Sequence, residues 1–209
     1  MASNYGELKS ELSDLLFNQR FIARYDRFTK AFEADANSRL RVLPMETSVL
    51  LTTTLGDVAL PSDYLTWRTV RPTLTATPGA PFVQPFVELD YVHPAYLPPV
   101  GRGYNRLFTI EGNTFKVRPV DDRAGAYDFH YYQKIPTLVG ANSNSNWLLT
   151  EYPNAYLFGL TVEAASDGRN AEMAQLYKAR RDEVFQEITQ RYALTTGATS
   201  PTVRTGTYF

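Results

Sequence analysis

The sequence has no cysteine, which excludes disulfide scaffolds, thiolate metal sites and cysteine nucleophiles. Histidine is almost as scarce. His93 and His130 are the two, each without a second ligand or a triad partner in its neighbourhood of sequence, so no metal site or catalytic triad is legible. Neither sign of charge prevails, since 21 Lys and Arg stand against 22 Asp and Glu. That balance argues against a dedicated nucleic-acid binder and leaves room for transient, non-specific passage of DNA past a nearly neutral wall. No apolar run approaches the roughly 18 residues of a membrane span, so no membrane partner is expected. Residues 1–7 carry no basic run ahead of an apolar block, so a soluble protein made in a cytoplasm is expected. Gly101-Arg102-Gly103 is too short for a phosphate loop and lacks the following Lys-Ser/Thr. No catalytic, metal-binding or cofactor-binding residue is assigned, and no cofactor is expected.

What is present is a core. Hydrophobic residues make up 44% of 209, and 13% of the chain is aromatic, enough for one domain over residues 1–194 followed by a flexible tail, 195–209. The start reads as helix, with Asn4 and Glu7 in a capping-box pattern and Leu8, Leu12, Leu15 and Leu16 on one face. After a break near Asn18, a second helix carries Phe21, Tyr25, Phe28 and Phe32. Its other face holds Arg20, Arg24, Arg27 and Lys30, which are either solvated or meet an acidic partner. Helices are thus expected over 4–43, closed by Pro44, and again over 152–194.

Between them a β-rich insertion is expected over 45–138. Residues 49–54 read as a strand, Gly56-Asp57 as a turn and Val58-Ala59-Leu60 as the return strand. Residues 65–71 form another strand that stops at Pro72. Seven of the 13 prolines fall in 72–101, interleaved with Phe82, Phe86, Tyr91 and Tyr96, which predicts a long extended loop with one short strand at 87–91. Residues 107–111 and 114–118 flank Gly112-Asn113 as a hairpin with a II′ turn. Tyr127, Phe129 and Tyr131 alternate with Asp128 and His130, as a strand with one covered face requires.

The chain then passes through a polar loop, 140–146, into Asn146-Trp147-Leu148-Leu149-Thr150-Glu151-Tyr152-Pro153-Asn154-Ala155-Tyr156-Leu157-Phe158. This helix is apolar on nearly every side and must be enclosed. Pro153 suits its first turn, and Trp147 offers a surface to pin its start, worth about 3 kcal/mol if fully buried. A final helix from Asn170 to about Leu194 carries Met173, Tyr177, Val184, Ile188 and Tyr192 as its stripe, with Arg180 at the missing step. The fold class expected is α+β, mainly α, with a helical bundle from the two ends of the chain and an antiparallel insertion.

Four segments in order resemble the head–tail adaptor proteins of tailed bacteriophages. They are Phe32-Glu33-Ala34 running to Ser38-Arg39-Leu40-Arg41-Val42 and Met45-Glu46-Thr47; Leu60-Pro61-Ser62-Asp63-Tyr64-Leu65 with Arg68; Tyr131-Tyr132-Gln133-Lys134-Ile135-Pro136-Thr137-Leu138; and the passage from Asn146 through Trp147, Leu148, Leu149, Pro153 and Tyr156 to Leu160. Asp167-Gly168-Arg169-Asn170-Ala171-Glu172 departs from the acidic run usual there, and the loop at 72–101 is longer than usual. The resemblance implies a structural virion protein of the neck with no enzymatic activity. It implies a homo-oligomeric ring, commonly dodecameric, beneath the portal protein, meeting tail tube, nozzle or fibre proteins and continuing the DNA channel. Arg204, Tyr208 and Phe209 in the tail, and Tyr91 and Tyr96 in the loop, are the expected contacts to portal or neighbour. Two alternatives remain: a peptidoglycan hydrolase of the neck, for which Asp121, Asp122 and Asp128 are the clustered carboxylates, and a tail-fibre or receptor-binding component.

Overall fold

The computed structural model describes residues 2–16, 23–53, 56–73, 88–98, 107–118 and 125–193. Its elements are α1 (Tyr5–Leu16), α2 (Tyr25–Arg39), β1 (Glu46–Thr53), β2 (Asp57–Ala59), β3 (Tyr64–Thr73), β4 (Asp90–Tyr91), β5 (Leu107–Glu111), β6 (Thr114–Arg118), β7 (Gly125–Gln133), α3 (Trp147–Glu151), α4 (Pro153–Asp167) and α5 (Ala171–Ala193). The mixture is α+β, with the helices and the strands in different compact units. One unit comprises Met1–Met45 with Ile135–Phe209, the other Glu46–Lys134.

In the helical unit α4 is the hub, touched by α1, α2, α3 and α5. Ala155, Tyr156, Leu160, Val162, Ala164 and Ala165 are all buried, so the helix that is apolar all round is enclosed. Gly159 gives α2 its closest approach: a Cβ there would lie 2.1 Å from Cδ2 of Phe32. From α2, Tyr25, Phe28, Phe32 and Ala36 pack inward. At the start of α1, Asn4 Oδ1 accepts from Glu7 N–H at 2.9 Å, while the Glu7 carboxylate accepts from Ser3 N–H at 2.7 Å. The capping box therefore closes one residue earlier than its usual form. The polar loop at 140–146 is also engaged, because Asn144 and Asn142 carbonyls accept the N–H groups of Tyr5 and Gly6 that a helix start leaves unpaired.

In the β unit two sheets share one aromatic core. The order is β1-β7-β3 in the first and β2-β6-β5-β4 in the second. Leu51, Val70, Phe108, Phe115, Val117, Tyr127, Phe129 and Tyr131 fill the space between them. The β5–β6 hairpin turns as its sequence predicts. Glu111 pairs with Thr114, and Gly112 takes φ +59° while Asn113 stays at negative φ, as a II′ turn needs.

Several expectations are corrected. Val58-Ala59 is not the return strand of β1; β2 pairs with β6, and β1 pairs with β7. Pro72 does not end β3, which runs to Thr73, because β3 lies at a sheet edge where a missing N–H breaks no ladder. The passage after Asn146 is two helices, since the backbone at Tyr152 leaves helical geometry ahead of Pro153. Trp147 is only half-buried; the residues sealed at that corner are Asn146, Leu148 and Leu149. The missing step of the α5 stripe belongs to Arg181, which is buried, because it stands four residues after Tyr177 and four before Phe185. Arg180 is exposed, with its guanidinium 5.5 Å from the Tyr177 ring centroid. Phe21, Arg20, most of the 72–101 loop, Gly101-Arg102-Gly103, Asp121, Asp122 and the 195–209 tail lie outside the described residues.

Candidate assembly interface

The four motifs meet at two junctions inside the protein, three of them in the helical unit and two in the β unit. In the helical unit, the Asn146 side chain caps α3 by accepting from Leu149 N–H at 2.9 Å. Its Nδ2 donates to Pro136 O and to the Tyr156 hydroxyl, both at 2.7 Å. Tyr156 in turn donates to Glu33 Oε1 at 3.3 Å, and the same oxygen accepts from Leu138 N–H at 2.8 Å. Asn37 Oδ1 accepts from Ile135 N–H at 2.9 Å. An extended segment, 135–138, is thus held without being in any sheet, by side chains of α2 and by the Asn146 cap. Burial raises the Glu33 pKa, against hydrogen bonds from Thr137, Leu138 and Tyr156 that favour its ionised form. Glu33 is the hub that ties the first, third and fourth motifs together.

Arg39 of the same motif works on α5. Its guanidinium donates to Asp182 at 2.8 Å and lies 4.9 Å from the centroid of Phe185. Arg181, nearly buried, pairs with Asp35 at 3.2 Å and with Asp182 at 3.0 Å. Desolvation would raise the Asp182 pKa, but the two arginines outweigh it and hold the carboxyl below its ordinary value. Leu40 is buried beside this network. Arg41 is exposed and donates to the Asn37 carbonyl, closing the end of α2. An open groove of about 310 Å³ runs over Arg39, Leu40, Phe185 and Gln190.

In the β unit the second motif meets the front of the third. Asp63 Oδ1 accepts from the Tyr131 hydroxyl at 3.0 Å, and the Asp63 carbonyl accepts from Lys134 N–H at 2.7 Å. Leu60 is buried and Pro61 half-buried, with the Pro61 carbonyl accepting from Tyr64 N–H. Arg68, at an irregularity in the β3 register, reaches across to pair with Glu46 of β1.

The residues expected to contact partners sit differently. Tyr96 is 78% exposed, on a short 3₁₀ turn that His93 caps by accepting from Ala95 N–H. Tyr91 shows one edge to solvent but stacks on Trp67 at 5.5 Å, so half of its ring belongs to the core. Arg204, Tyr208 and Phe209 fall outside the described residues. Leu50 of β1 and Leu176 of α5 add exposed apolar side chains that the sequence reading did not single out. Asp128 lies on the open face of the first sheet, hydrogen-bonded to His130 at 2.9 Å. Among the described residues no group of three or more His, Asp or Glu is arranged to hold a metal ion, and no helix is long and apolar enough to cross a membrane. Sequence reasoning missed Glu33 as the hub, although a carboxylate directly after Phe32 and three residues before Ala36, on the side of the helix that they bury, was the signal that it needed partners.

Comparison with curated proteins found no match. A family profile described as SU10 adaptor protein matches residues 3–205, nearly the whole chain and all four motifs.

Proposed function

Because the chain belongs to the SU10 adaptor protein family, we propose that it is the ring-forming head-to-tail adaptor of a tailed phage. In this reading a dodecameric homo-oligomer seats beneath the portal protein, joins it to tail tube, nozzle or fibre proteins, and continues the DNA channel. The observation that carries the reading is the family match across residues 3–205.

The geometry supports it by what the motifs do. Arg39, Leu40, Asp63, Asn146 and Tyr156 are used up in contacts within their own units, so they specify the fold of each unit, and contact with partners falls to surface groups such as Tyr96. A subunit with two different contact surfaces closes a ring by head-to-tail contacts. Each contact can be modest, because a ring engages a matching ring with avidity. A chain of net charge −1 gives passing DNA few phosphate-neutralising contacts to grip.

Sedimentation of the full chain, alone and with portal rings, tests the reading. A ring mass and co-sedimentation with the portal are expected; a monomer that stays free of portal rings refutes it. Deleting residues 195–209 is expected to weaken the ring or its binding to the portal, because Arg204, Tyr208 and Phe209 anchor the tail on an adjacent copy or on the portal; a ring that forms and binds portal as before would discard the tail as an anchor. Tyr96→Ala tests the loop contact in the same assay.

A further inference from the structure

The two edges of the first sheet are treated in opposite ways. The β3 edge is blocked: its register is irregular between Tyr64 and Thr66 and again between Trp67 and Thr69, Pro72 removes a donor, and Arg68 and Arg71 are charged. The backbone there is also partly taken, because Leu89 N–H donates to Val70 O at 2.9 Å and Arg71 pairs with Glu88 at 2.7 Å. These are the devices by which a sheet edge refuses another strand.

The β1 edge has none of them. It is eight residues long, Glu46-Thr47-Ser48-Val49-Leu50-Leu51-Thr52-Thr53, regular against β7 throughout, with no proline or glycine and no charge after Glu46. β2 touches β1 but does not pair with it. Among the described residues no hydrogen bond reaches the outer backbone groups of β1. Leu50, at the middle of the strand, is 58% exposed. A long, regular, β-branched edge left bare is a template for an added strand.

We infer that β1 accepts, as an added strand, the C-terminal segment 202–209 of a second copy of this chain. The inference rests on the ring reading above and supplies its contact. The sequence beyond α5 provides the strand: Thr202-Val203-Arg204-Thr205-Gly206-Thr207-Tyr208-Phe209 follows Pro201 and equals β1 in length. Every second residue, Val203, Thr205, Thr207 and Phe209, is β-branched or aromatic, the alternation that fits a strand with one face toward a core. The other set places Arg204 and Tyr208 on the open face, where Leu50 is exposed and where the carboxylate of Asp128, its partner on β7, supplies negative charge one strand further in. Main-chain pairing holds the segment, and each copy gives a strand to one neighbour while accepting one from the other, so the contact closes a ring.

The absence of cysteine makes the test clean. Differently tagged single-cysteine chains are co-assembled, one carrying Leu50→Cys, the other Val203→Cys, Arg204→Cys, Thr205→Cys or Gly206→Cys, and treated with a short bis-maleimide. The expected product joins the two tags, with yields that alternate several-fold along the tail; Thr69→Cys on β3 gives only background. Amide exchange across β1 in the unsubstituted full chain is expected to slow several-fold on assembly, and across β3 to stay unchanged. Rings of the right mass with no link from position 50, or with yields flat along the tail, overturn the inference and leave the ring reading standing. Capture of the tail cysteines by added portal rings, or by the β1 of the same chain in a double-cysteine variant, overturns it as well. A monomeric mass removes both.

Discussion

Gly159→Ala sets two opposed effects against each other at one atom. Position 159 lies inside α4, where alanine is favoured over glycine by about 1 kcal/mol on helix propensity alone. The added Cβ would stand 2.1 Å from Phe32 Cδ2 and 2.3 Å from Cε2, whereas carbon atoms in contact sit about 3.5–4.0 Å apart. The ring would have to retreat by well over an ångström, and it has nowhere to go. Phe32 is 1% exposed, with Tyr156 at 4.7 Å and Phe185 at 6.0 Å between ring centroids. Overpacking of this kind costs about 1–3 kcal/mol; taking the upper end and subtracting the propensity gain leaves a net loss of about 2 kcal/mol. For a chain of this size that corresponds to a fall in Tm of about 4–8 °C. Urea and thermal unfolding followed through Trp147 in a Trp67→Phe background would read the helical unit. The loss should shrink when Phe32→Leu is added, since the two side chains compete for one space. A Gly159→Ala variant as stable as the parent, or more so, would refute the packing argument.

Tyr156→Phe leaves the ring in place but breaks the relay from Asn146 to Glu33, so a loss of about 2 kcal/mol is expected from urea titration; a loss below about 0.5 kcal/mol would mean that the hydroxyl is dispensable. Because burial raises the Glu33 pKa, the folded state holds that proton more tightly than the unfolded chain. Its contribution is complete below the ordinary carboxylate range and is lost as pH rises through the raised value. Glu33→Gln keeps the acceptor without the charge, so its urea midpoint should gain on the parent as pH rises above the ordinary carboxylate range; parallel profiles would contradict this. Arg169 holds φ +57° just after α4 while the preceding Gly168 has φ −78°, so the residue in the left-handed region is the one with a side chain. Arg169→Gly should raise stability by up to about 1 kcal/mol, measured as Tm, and a decrease would point to a role for the arginine side chain itself.

Much of the local structure was legible in the sequence. The β5–β6 hairpin followed from Gly112-Asn113 between alternating residues, and β7 from Tyr127, Phe129 and Tyr131. The enclosure of α4 followed from its lack of a polar face. The misreadings have a common cause. Val58-Ala59 was assigned to the nearest strand in sequence, yet it pairs with β6, because ladder partners are chosen by the packing of both sheets on one core. The choice of Arg180 over Arg181 followed a stripe built from the most hydrophobic residues, whereas α5 turns a charged pair toward Asp35 and packs Phe185 beside it. The candidate site was legible only as motifs: their residues were visible, but the Glu33 and Asp63 junctions join positions 105 and 68 residues apart.

The sequence by itself determined the two classes of element, the enclosed helix and the family, because periodicity, turn chemistry and ordered motifs are properties of neighbouring residues. Only the tertiary structure decided that the motifs are internal clamps, and that, among the described residues, one sheet edge is blocked while the other is unpaired. Those features depend on which distant residues share a surface. A buried carboxylate or an unpaired strand edge is defined by what lies across from it, and nothing in the local chain fixes that.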